Sequence, residues 1–98
     1  MKDTKKIFKY VIPVTDESEL QLPAGAQILS VMGQRNEIVL YAIVNTSIDV
    51  VKTVSVRVVG TGHMIDFDTN EYKFVGTVFL HSGALMFHVF CFDRGYCG

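Results

Sequence analysis

The chain is 98 residues long, the size of one domain, and 49% of it is hydrophobic, far too apolar for a disordered segment. Nine Lys and Arg stand against ten Asp and Glu, a formal net charge of −1, so the cationic excess of a non-specific nucleic-acid binder is missing. No apolar run approaches the ~20 residues of a membrane helix, and Met1 to Lys6 leads into a strand-like run rather than a secretory signal, so no membrane role is expected.

The dominant period along the chain is two. Ile7 to Ile12 reads as a first strand, closed by Pro13, with Lys2, Lys5, Lys6 and Lys9 as charges that keep an edge soluble, tempered by Asp3. Thr15 to Ser18 reads as a turn or at most one helical turn; Glu19 to Leu22 then alternates as a short strand stopped by Pro23-Ala24-Gly25. Gln27 to Met32 and Ile38 to Val44 read as strands three and four, joined by a hairpin in which Gly33 and Asn36 are the candidates for left-handed backbone. Val50 to Val59 is the longest strand, with Val54, Val56 and Val58 pointing one way and Thr53, Ser55 and Arg57 the other. After an irregular acidic stretch, Glu71 to Leu80 and Ala84 to Phe92 are the last two strands, joined by the tight turn His81-Ser82-Gly83. Asp93 to Gly98 reads as a short tail of a single domain spanning residues 1–98.

About seven short strands with turn signals between them, and no long helical period, give an all-β or β-rich α+β class: an antiparallel sandwich or a partly open barrel. Two strands are apolar on both faces. In the fourth, Ile38, Leu40, Ala42 and Val44 oppose Val39, Tyr41 and Ile43; in the last, Leu85, Phe87, Val89 and Cys91 oppose Met86, His88, Phe90 and Phe92. A domain this small has little material for a third layer, so the face of Met86, His88, Phe90 and Phe92 is the expected interface, with a homodimer as the default partner.

Chemistry-bearing clusters are sparse. Gly60-Thr61-Gly62-His63 is a glycine-rich turn after a strand, able to aim backbone N–H groups at an anion; with the acidic residues Asp66 and Asp68 it is the candidate site for a small, nucleotide-like ligand. A plain turn is the simpler reading, because phosphate loops of the familiar kinds lead into a helix. Asp66 to Asn70 begins like a calcium loop but lacks its glycine and closing glutamate, and reads as an Asx turn. His63, His81, His88, Cys91 and Cys97 lack paired zinc spacing, so no metal or other cofactor is expected. Cys91 reads as a core thiol and His88 as a half-buried hydrogen-bonding residue; no nucleophile elbow is present, and the chain leans away from catalysis. Val59-Gly60-Thr61 recurs as Val75-Gly76-Thr77, pointing to two backbone sites that need glycine.

Several segments in order carry a resemblance: Lys9-Tyr10 with Pro13 to Asp16, Leu22 to Ala26, Ile28 to Val31, Val58 to His63, Tyr72 to Val78 and Phe87 to Phe90. Together they resemble a family of short, largely uncharacterised phage and prophage proteins of one β-rich domain, with Cys91 to Gly98 as a departure. The resemblance implies a viral origin and the cytoplasm of a bacterial host. It brings no catalytic residue with it. The expected function is binding to a host protein, with inhibition of a defence system as the implied role.

Overall fold

The computed structural model describes residues 4–96, with side chains to Arg94. The readings that involve Lys2, Asp3 and Cys97 lie outside the described residues.

Seven strands alternate along the described chain: β1 (Lys5–Ile12), β2 (Glu17–Pro23), β3 (Gln27–Gln34), β4 (Glu37–Asn45), β5 (Val51–Gly60), β6 (Lys73–Leu80) and β7 (Leu85–Tyr96). They form a three-stranded sheet of order β1-β4-β3 and a four-stranded sheet of order β2-β5-β7-β6. Every pairing is antiparallel, and the two sheets are not closed into a barrel. The domain is therefore an all-β sandwich, and no helix occurs among the described residues.

The core follows from the two-residue alternation. Ile38, Leu40, Ala42 and Val44 of β4 face Val54, Val56 and Val58 of β5 and Val89 of β7, all at 5% exposure or less. At ~25 cal/mol per Å² of apolar surface, this seam is the main favourable contribution to folding.

Some boundaries differ from the sequence reading. Glu17 and Ser18 already belong to β2, because Val58 N–H donates to the Asp16 carbonyl and starts the pairing there. β7 continues past Phe92 because β5 offers it partners as far as Lys52, opposite Tyr96. The β3–β4 turn places Arg35 and Asn36, not Gly33, at positive φ (53° and 61°), as a two-residue hairpin requires. Gly33 has a different task. A Cβ there would lie 2.6 Å from the carbonyl oxygen of Phe79, so β3 comes against β6 at a distance only glycine permits.

Away from that contact the edges separate. β3 shifts register at Leu29, β6 shifts at Val75, and the β5–β7 ladder shifts between Lys52 and Val54. Each bulge bends its strand, and together they splay this part of the sandwich.

Candidate functional site

Three places on the molecule carry more than core packing. The first is the outer face of the four-stranded sheet. Residues 61–72 have no regular structure, and they fold back over β5 and β7. The Phe67 ring lies 4.8 Å from Tyr72 and 5.4 Å from Phe90, and Tyr72 lies 5.5 Å from Phe92. The Tyr72 hydroxyl sits 2.9 Å from Ser55 Oγ, which is why Ser55, on an outward face, is fully buried. Arg57 anchors the layer. Its guanidinium pairs with Glu17 at 3.2 Å and with Asp66, and its Cζ stands 4.9 Å from the Phe67 ring centroid. Its Nε has no hydrogen-bond partner among the described residues; the neighbouring ring stands in for part of that lost interaction.

The proposed interface residues are thus treated differently by the fold. Phe90 and Phe92 are half-covered by the chain's own rings, Phe74 among them at 5.4 Å from Phe90. His88 is half-buried, with Nε2 2.8 Å from Thr61 Oγ1 and Nδ1 2.9 Å from Thr77 Oγ1. Met86 stays exposed beside Phe79. The repeated Val-Gly-Thr triplets explain the His88 arrangement, since each contributes the threonine that holds one imidazole nitrogen. Their glycines also lie close against neighbouring side chains. A Cβ on Gly60 would meet the His63 ring at 2.9 Å, and one on Gly76 would meet Val31 Cγ2 at 3.0 Å.

The glycine-rich segment forms a turn, with His63 N–H donating to the Gly60 carbonyl at 3.1 Å and Gly62 at φ 85°. His63 and Asp66 line a hollow of about 220 Å³ together with Asp16 and Arg57. Thr61 turns instead to His88, and Asp68 accepts a hydrogen bond from Asn70 N–H at 2.9 Å, the Asx turn expected there. Among the described residues no three His, Cys, Asp or Glu side chains converge on a metal position.

The second place is a cleft of about 470 Å³ beside the bulges, and the sequence reading missed it. Lys52 has the same parity as Val54, Val56 and Val58, so its side chain enters the sandwich at the end of β5. Its ammonium group donates to the Ala26 carbonyl at 2.7 Å and to Asp93 Oδ2 at 2.8 Å. A buried ammonium is costly without such partners. A lysine in register with three core valines was the available signal. Cys91 also lines this cleft, and burial pushes its thiol up to about 12, leaving it protonated and unreactive at neutral pH.

The third place is the outer face of the three-stranded sheet. Val11, Val39 and Met32 form one cross-strand row; Lys9, Tyr41 and Ser30 the next; Ile7, Ile43 and Gln27 the third. Ile7 is 62% exposed, Val11 52% and Met32 49%; on the other sheet residues 61–72 cover the part around Phe90 and Phe92, while Phe79, at 62%, stays open. β1 is also a sheet edge, so its outer side has no strand partner among the described residues.

These features define a small antiparallel β-sandwich whose four-stranded sheet is partly covered by residues 61–72. The chain belongs to a family described as a domain of unknown function, DUF7352, whose model matches residues 3–94. No curated protein and no solved structure matches it.

Proposed function

We propose that this domain acts by binding a macromolecule, as a phage-encoded accessory protein directed at a protein of the bacterial host and working in the host cytoplasm. A component of a defence system is the class of target. The observation that supports binding is the apolar outer face of the three-stranded sheet, where Ile7, Val11 and Met32 are exposed around a buried Val39. A domain gains by covering such a surface; residues 61–72 cover the other sheet only around Phe90 and Phe92, where Phe67 and Tyr72 lie, and leave Phe79 and Met86 exposed there. The viral and anti-defence parts of the reading rest on the resemblance of the segments from Lys9-Tyr10 to Phe87–Phe90.

The alternative, a nucleotide-like ligand at Gly60, Thr61, Gly62, His63, Asp66 and Asp68, has less support. Arg57, the arginine among the described residues that line that hollow, is already engaged by Glu17 and Asp66, so a phosphate would meet carboxylates there. Capture from bacterial lysate on the immobilised chain tests the proposal. The expected result is one specific protein retained across a range of salt; repeated recovery of nothing specific counts against it.

A further inference from the structure

From the cleft beside Lys52 we infer a second binding site, for a small amphipathic anion: an apolar body carrying a single carboxylate. The argument starts with the backbone. β3 and β6 touch at Gly33 and Phe79, then diverge because each carries a bulge, at Leu29 and at Val75. What opens between them is a cleft of about 470 Å³, within the range of small-molecule sites. Its walls differ in character. Ile28, Leu29, Phe74 and Val75 give an apolar side, while Lys52, Lys73 and Asp93 bring charge to the same space.

Among the described lining residues two lysines stand with one carboxylate: Lys52 pairs with Asp93, and Lys73 is exposed at the mouth. An ammonium has three donors. Lys52 uses one on Ala26 and one on Asp93, and the third has no partner among the described residues. The residue is only 9% exposed yet lines the cleft, so the cleft is the route by which a partner would reach that donor. A carboxylate placed between Lys52 and Lys73 would receive charge-assisted hydrogen bonds while its apolar body lies along Leu29 and Val75. Asp93 disfavours a ligand with a high negative charge, which selects a monoanion over a polyphosphate.

The test is titration of the full chain with decanoate, followed by amide shifts in NMR, with decylamine and inorganic phosphate as comparison probes. The site predicts saturable decanoate binding with shifts confined to residues 26–29, 52 and 73–75. Lys73→Met, an exposed change that leaves the fold intact, should weaken it by about tenfold, the worth of one charge-assisted hydrogen bond, and Lys52→Met by at least as much. Equal binding of decylamine, equal binding of phosphate alone, shifts spread over the outer sheet faces, or full affinity in Lys73→Met would each overturn the inference.

Discussion

The α-carbon of Gly33 faces the carbonyl oxygen of Phe79 across the two sheets, so closely that a methyl group would lie 2.6 Å from it. This contact joins the edge of the three-stranded sheet to the edge of the four-stranded sheet. Asn36 reinforces it nearby, accepting a hydrogen bond from His81 N–H at 2.9 Å. Gly33→Ala must therefore push backbone against backbone. We expect a loss of about 1–3 kcal/mol, the usual cost of overpacking. For a domain of this size that is a fall in Tm of several degrees, about 4–8 °C per kcal/mol, measurable by calorimetry. An unchanged Tm would mean that the edges do not meet.

Arg57 holds down residues 61–72 through Glu17, Asp66 and the Phe67 ring. Arg57→Lys keeps the charge but loses the planar fork that reaches two carboxylates and stacks on a ring. We expect a cost of about 1–2 kcal/mol, near the worth of a hydrogen bond to a charged group, and earlier proteolytic cleavage between Gly62 and Asn70. Cleavage at the wild-type rate would show that the layer is held by its rings alone.

Burial raises the Cys91 thiol from 9.0 to about 12. A group whose pKa is higher in the folded state stabilises the fold fully below its unfolded value, and that contribution disappears as pH rises through the folded value. Stability should therefore fall between about pH 9 and pH 12, and Cys91→Ala should reduce the slope in that window, as read from urea denaturation at successive pH values. Tyr10, also raised by burial, contributes in the same direction, so some slope remains in the variant.

Most of the strand framework is legible in the sequence because buried and exposed positions alternate, and β5 shows why. Val54, Val56 and Val58 stand opposite Thr53, Ser55 and Arg57 both in the pattern and in space. Reading Lys52 in the same row would have found the cleft. The burial of Ser55 and Arg57 is not legible, since it is caused by a covering segment, residues 61–72, that has no period of its own. The same segment changes the balance of exposed grease. It half-covers Phe90 and Phe92, while Met86 with its neighbour Phe79 on that face, and Ile7, Val11 and Met32 on the other sheet, stay exposed. The bulges at Leu29 and Val75 are equally silent, although the paired Val-Gly-Thr triplets mark Gly76 beside one of them.

Lys9 is the charge in the middle of the bare face, in the row with Tyr41 and Ser30. Charged residues on an edge strand oppose self-pairing. Lys9→Leu should leave the fold intact and raise the apparent mass with concentration in sedimentation experiments. A variant as monodisperse as the wild type would show that this lysine does not guard the face.

The claim that the uncovered three-stranded sheet is the binding surface is tested most directly by placing charge on one face at a time. Val11→Lys with Met32→Lys alters that sheet; Phe79→Lys with Met86→Lys alters the other, and all four side chains are exposed enough to accept it. With each protein immobilised against the same bacterial lysate, the account predicts that the first pair abolishes capture of the partner and the second leaves it. Capture lost only with the second pair, or kept by both, would contradict it.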